Sequence, residues 1–322
     1  MTVAELRPIP LDEIVAARER IAGVAIRTPA LALDTDAPDR VYLKLENLQP
    51  IGSFKLRGAG NAIALADPAA LAQRGVYTAS AGNMAQGVAW TARRLGIECA
   101  VVVPEHAPHA KIVAVERLGA RIIRVPFDEW WQVLIDHGYS GLDGVFIHPV
   151  SDPEVIAGNG TIGLELVEQV PEMAAVVVPY GGGGLSCGIA LAVKALRPDV
   201  RVYAAEVETA APFAASLAAG HPVSVDYQAS WVDGIGGRSV LAEIWGLASA
   251  LLDGSIVVSL SSVANAVRQL AARGRVIAEG AGAASVAAAL SGEAGPGPVV
   301  AVVSGGGIDA AVLATILEGG TP

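Results

Sequence analysis

The chain alternates short β-branched apolar runs with longer alanine-rich amphipathic stretches. The apolar runs predict strands at Val41–Leu45, Gly75–Thr78, Ala100–Val103, Arg121–Val125, Ala175–Val178, Arg201–Glu206, Ser255–Val258 and Val299–Val303. The amphipathic stretches predict helices at Leu11–Ala22, Asn83–Leu95, Ala110–Leu118, Glu154–Gln169, Leu185–Leu196, Ser262–Arg273 and Gly282–Leu290. Strands that alternate with helices point to βαβ units and a mostly parallel sheet. Strands that are apolar at every position, rather than at every second one, suit a sheet covered on both faces. Right-handed crossovers then gather the loops at the strand C-termini, where open α/β sheets bind ligands.

The 322 residues suggest about two domains. No long linker divides them. Residues 67–153 carry their own strand and helix alternation between turns at Asp67–Pro68 and Pro149–Pro153. They are expected to form a small domain that is inserted into a larger one, made of residues 1–66 and 154–322, and closes over the substrate. A cleft between the two is the expected ligand site.

Composition narrows the function. Hydrophobic residues make up 52% and charged residues 17%, which excludes a disordered chain. With 22 Lys and Arg against 32 Asp and Glu the net charge is −10, so a nucleic-acid partner is not expected. The uncharged stretch Ala174–Val193 is about long enough to span a bilayer. Pro179 and Gly181–Gly184 break it in the middle, so a strand, a glycine loop and a helix are expected there, and no membrane partner. The N-terminus lacks the apolar core of a secretory signal. Cys99 and Cys187 form neither a metal-spaced cluster nor a disulfide framework, and a reducing cytoplasm is the expected compartment.

Five segments could carry chemistry. Lys55, in Ile51–Gly58, follows small and aromatic residues and precedes a helical stretch. It is either a desolvated Schiff-base lysine or a surface lysine at a helix start. Ser80-Ala81-Gly82-Asn83 joins a strand to a helix, where backbone N–H groups can hold a carboxylate; an ordinary capped turn is the alternative. Gly181–Gly184 and Leu185 again join strand to helix. Their backbone can approach a phosphate closely, with a plain flexible turn as the alternative, and neither the dinucleotide fingerprint nor a Walker loop is present. Ser304 follows the strand Val299–Val303 and either hydrogen-bonds a bound ring or belongs to a tight turn. Glu279, just before a helix, is either a site carboxylate or a first-turn charge. A Schiff-base lysine, a phosphate cup and a ring partner together are what pyridoxal phosphate needs from a protein.

These segments resemble the fold-type II pyridoxal-phosphate (PLP) enzymes, specifically the serine/threonine dehydratase and serine racemase group. The resemblance lies in GSFKLRG at 52–58, SAGN at 80–83, PEVIAGNGTIGLEL at 153–166, GGGGL at 181–185, AEGAGA at 278–283 and SGGG at 304–307, in family order. It implies an α/β fold like the tryptophan synthase β chain, with two open, mostly parallel twisted sheets flanked by helices. It implies Lys55 as Schiff-base lysine and acid/base at the substrate Cα. It also implies Phe54 against the pyridine ring, Asn83 on the ring hydroxyl, Gly181, Gly182, Gly183, Gly184 and Leu185 on the phosphate, and Ser304 at the ring nitrogen. Ser80, Ala81 and Gly82 would surround the substrate carboxylate, with Glu279 near the reacting side chain.

The implied activity is that of an ammonia-lyase of amino-acid metabolism, which takes a β-hydroxy amino acid such as L-threonine or L-serine to a 2-oxo acid and ammonia. A homodimer is implied as well. Three departures qualify the resemblance. Ala81 stands where the racemases carry a serine as second acid/base. Met84 replaces a frequent histidine. Pro212 replaces an aspartate of the racemase metal loop to which Glu206 belongs, so no metal is expected. The sequence ends soon after Asp309, so the amino-acid-sensing module of the biosynthetic deaminases is not expected. A β-replacement synthase, a racemase and a non-catalytic PLP or amino-acid-binding protein are the alternatives. Trp130 and Trp131 are expected in the core, with a pocket for a bulkier substrate as the other reading.

Overall fold

The computed structural model describes residues 5–35, 40–107 and 109–322. Its strands are β1 Ala30–Ala32, β2 Val41–Leu45, β3 Val76–Ala79, β4 Cys99–Pro104, β5 Arg121–Val125, β6 Val145–Phe146, β7 Ala175–Pro179, β8 Arg201–Val207, β9 Gly254–Val258 and β10 Val299–Val303. They make a six-stranded sheet in the order β1-β2-β10-β7-β8-β9 and a four-stranded sheet in the order β5-β4-β3-β6. Every pairing is parallel except that of β1 with β2. The chain is thus an α/β protein with two mostly parallel sheets. The four strands of the smaller sheet come from one continuous stretch, residues 76–146.

The all-apolar strands follow from burial on both faces. Along β10, Val299, Ala301 and Val303 enter one core, with the helices Leu260–Gln269 and Gly280–Leu290. Val300 and Val302 enter the other, with the helices Pro153–Gln169, Gly184–Leu196 and Ala242–Leu251. Successive side chains point to opposite faces, so β10, covered twice, is apolar at every position. The stretch Ala174–Val193 resolves into β7, a glycine loop and a helix, and no helix among the described residues is long and apolar enough to cross a membrane.

Parallel order places the connecting loops on a common side. The segments after β2, β3, β7 and β10 contain Lys55, Ser80–Asn83, Gly181–Gly184 and Ser304 in turn. Four segments far apart in the chain therefore meet at strand C-terminal ends.

Candidate active site

Lys55 opens the helix Lys55–Leu65. The turn before it is tied to the end of β10: Phe54 N–H donates to the Ser304 carbonyl at 3.0 Å, and Ser53 bridges to Gly305. The helix is set by close packing on the helix Pro153–Gln169. A Cβ at Gly158 would lie 2.8 Å from Gly58 Cα, so only glycine permits the approach. Lys55 Nζ donates to the Pro149 carbonyl at 2.9 Å. Burial pushes its pKa down to about 8, against the opposing field of Glu279. An amine in that range is partly neutral near physiological pH and can attack a carbonyl.

The glycine loop leaves β7 and enters the helix Gly184–Leu196. Gly183 sits at φ +93°, a conformation that glycine adopts without a Cβ clash. Gly182 and Gly184 pass so close to Val150 that an added Cβ would lie 2.6 Å from its Cγ2 and 2.5 Å from its carbonyl oxygen, respectively. The backbone alone therefore faces the site there, at the positive end of a 13-residue helix.

On the smaller sheet, Ser80–Gly82 leave β3 and Asn83 opens the helix Asn83–Leu95. Gly82 N–H donates to Ser80 Oγ at 3.2 Å. Asn83 Nδ2 donates to Glu279 Oε1 at 2.9 Å, which joins this loop to the residue preceding the helix Gly280–Leu290. Burial, with the Asp233 charge beside it, pushes the Glu279 carboxyl up to about 7, opposed by Asn83 and Lys111. A second tie between the sheets is the Lys111–Asp233 ion pair at 2.5 Å.

Between these loops lies a cavity of about 390 Å³, within the ordinary size range of ligand sites. Its walls bring together Phe54, Lys55, Ser80, Ala81, Gly82 and Asn83 with Gly181–Gly184, Leu185, Glu279 and Ser304. Ser304 is 3% exposed, at the end of β10. The remaining residues singled out from the sequence divide between the cavity and other surroundings. Met84 touches the cavity but is packed with Val88 and Ile147 in the core of the smaller sheet. Trp131 is 42% exposed, and Trp130 is half-buried and lines the cavity, so the expectation that both are core residues is corrected. The helix Phe127–Ile135 is anchored instead by Val133. Glu206 is buried away from the cavity. It accepts from Phe213 N–H and Ala214 N–H at 2.8 Å each and from Ser255 Oγ at 2.7 Å, so it caps the helix Pro212–Ala219.

Comparison with known proteins now decides the family. A model of the family "pyridoxal-phosphate dependent enzyme" matches residues 21–305. The chain belongs to this family. It is 40% identical to an L-threonine ammonia-lyase of Thermotoga maritima over 319 residues, 97% of this chain and 79% of that one. The structure superposes on maize serine racemase with a TM-score of 0.89 at 33% identity, covering 97% of this chain and 98% of the other. It superposes on the processed form of threonine deaminase isoform 2 from Solanum lycopersicum with a TM-score of 0.84 at 29% identity, covering 99% and 96%.

The cofactor of this PLP-dependent enzyme fits the cavity on the evidence of the residues themselves. The turn at Gly182 and Gly184 has no room for a Cβ against Val150, so bare backbone lines the cavity there, and Asn159 Oδ1 is buried on the cavity wall with no partner among the described residues. Reading the sequence for motifs missed Asn159 as a site residue. The signal was there: it is the one amide in the Ala/Gly-rich stretch Ala157–Gly163. Pro149, Lys111 and Asp233 were missed as well, because each meets the site only through distant partners.

Proposed function

We propose that this PLP enzyme is an ammonia-lyase of amino-acid metabolism that converts a β-hydroxy amino acid, L-threonine or L-serine, to a 2-oxo acid and ammonia. The observation that carries the reading is a desolvated lysine, Lys55, its pKa pushed down to about 8, in one cavity with a glycine cradle and a neutral Ser304. The Thermotoga relative's name, L-threonine ammonia-lyase, supports it. Bound PLP supplies an electron sink conjugated to the substrate α-carbon.

The residues divide the remaining work. The N–H groups of Gly181–Gly184 and Leu185 hold the cofactor phosphate, Phe54 covers the ring, and Asn83 holds the ring hydroxyl. Ser80, Ala81 and Gly82 take the substrate carboxylate at the start of the helix Asn83–Leu95. Lys55 Nζ removes the proton from Cα. Glu279, pushed up to about 7, keeps a proton available beside the departing hydroxyl, which leaves as water. The enamine released takes up water and loses ammonia. Ser304 presents a neutral hydroxyl to the ring nitrogen, which makes a weaker sink than a carboxylate would. That suits elimination, in which the electron pair departs with the leaving group. The methyl group of Ala81 cannot deliver a proton to the opposite face of Cα, which argues against efficient racemisation.

Residues 67–153 act as the small domain that closes over the substrate, in a cytoplasmic homodimer. The test is ammonia and 2-oxo acid release from L-threonine, L-serine and their D-isomers, with chiral analysis of recovered substrate. Release from an L-isomer supports the reading. Racemised serine without ammonia replaces it with a racemase, and silence from all four rejects it.

A further inference from the structure

The cavity rim on the smaller sheet is aromatic. Phe127 and Trp130 lie three residues apart, on one face of the helix Phe127–Ile135, with ring centroids at 5.6 Å. His106, in the segment after β4, adds a third ring 5.7 Å from Phe127. All three line the cavity, and Phe127 is 43% exposed. The wall has a firm base, since Trp130 and Leu134 pack on the cluster that contains Val102, Val125 and Val133.

The charges around it are sparse. The cationic side chains that line the cavity among the described residues are Lys55 and Lys111, and Lys111 is paired with Asp233. No described arginine lines it; Asp233 is paired with Lys111, and Glu279 is pushed up to about 7. A substrate with a second carboxylate would find no free guanidinium to pair with. A substrate with an apolar β-substituent would cover exposed ring surface.

We propose that the His106–Phe127–Trp130 wall selects the β-substituent of the substrate as an alkyl or aryl group, placing threonine and phenylserine above serine and excluding 3-hydroxyaspartate. The proposal rests on the ammonia-lyase reading and names the substrate class of that same site.

The holoenzyme is titrated with L-alanine, L-phenylalanine and L-aspartate, followed by the visible absorbance of the cofactor. None of the three carries a β-hydroxyl, so binding is read without elimination. L-Phenylalanine should bind at least about tenfold more tightly than L-alanine, and L-aspartate weakest. Trp130→Ala and Phe127→Ala should bring the phenylalanine-to-alanine ratio toward one. Phe127 is exposed enough that its loss leaves the fold intact. In turnover, kcat/KM should rise from L-serine through L-threonine to L-threo-phenylserine, and the two variants should flatten that rise mainly through KM. Equal binding of phenylalanine and alanine, tightest binding of aspartate, or a ratio unmoved in both variants overturns the proposal. Tight, wall-dependent phenylalanine binding with no ammonia from any β-hydroxy amino acid upholds the wall and rejects the lyase reading.

Discussion

Replacing Arg57 by methionine removes the centre of a buried charge cluster. The guanidinium is 1% exposed and makes six hydrogen bonds: two to Glu46, two to Glu165, one to Thr161 Oγ1 and one to the Ile26 carbonyl. Its loss is uneven. Glu165 keeps Lys44 at 2.5 Å, whereas Glu46 is left with Thr28 Oγ1 and Gln49 Nε2 and no cation in contact. A buried charge that loses its partner costs about 3–5 kcal/mol. The pH dependence carries the diagnosis. In the native protein burial pulls the Glu46 pKa up, but Arg57 more than offsets this and holds it below the usual value. Its stabilising share is therefore present above the unfolded pKa of about 4.3 and is lost as pH falls through the lower folded value. In Arg57→Met burial is opposed only by the Thr28 hydrogen bond and the Lys44 charge, and the folded pKa rises. The penalty is then largest at neutral pH and fades as Glu46 takes up a proton. Urea unfolding at saturating PLP should show the gap between wild type and variant shrink from about pH 7 to about pH 4.5. Adding Glu46→Gln should recover about 1–3 kcal/mol at pH 7. A loss under about 1 kcal/mol, or a gap that does not change with pH, would refute the reasoning.

Three further perturbations address the site itself. Lys55→Ala should abolish the visible absorbance of bound cofactor and cut 2-oxo acid release by about 10³-fold or more; normal turnover would remove Lys55 from its role. Ser304→Asp, which puts a carboxylate at the end of β10, should lower kcat for elimination with the cofactor still bound, and unchanged kinetics with an intact spectrum would count against the neutral-ring argument. Glu279, pushed up to about 7, is favoured in its protonated form by folding, so its contribution is complete below about pH 4.3 and is lost as pH rises through 7. Glu279→Gln should therefore melt higher than wild type at about pH 8.5 and alike at about pH 4, and a difference of the same size at both would deny the shift.

Strand positions were legible where an apolar run ends abruptly. Val41–Leu45, Arg121–Val125 and Val299–Val303 have the bounds that the pattern predicts. β1 and β6 were not, because runs of three and two residues at sheet edges carry no periodicity to read. The cavity loops were legible because each is a contiguous motif at the C-terminal end of a strand, where parallel topology collects them. The aromatic wall was only half legible. The pair Trp130-Trp131 marks a helix, but which ring faces the core depends on how that helix lies on β3 and β4, and one ring faces the cavity while the other faces solvent.

Two lysines show why the charge cluster was not legible at all. Lys44 lies inside the apolar strand β2 and Lys55 at a helix start, so local sequence gives Lys55 the more exposed look and Lys44 the odder one. Their partners reverse the assignment of chemistry. An ammonium has three donors. Lys44 spends all three, on the Thr28 carbonyl at 2.7 Å, Glu165 at 2.5 Å and Gln169 Oε1 at 2.9 Å. It needs its proton to keep them, and its nitrogen offers no lone pair. Burial lowers both pKa values, but at Lys44 the Glu165 and Glu46 charges oppose it, whereas Lys55 has one acceptor, the neutral Pro149 carbonyl, and no carboxylate in hydrogen-bond contact, so the amine turns nucleophilic inside the cavity. The partners that separate the two fates lie between 16 and 125 positions away in the chain, beyond the reach of any local pattern. Arg57, two residues after Lys55, closes the circuit: the cluster that holds Lys44 as a structural cation also fixes the first turn of the helix that presents Lys55.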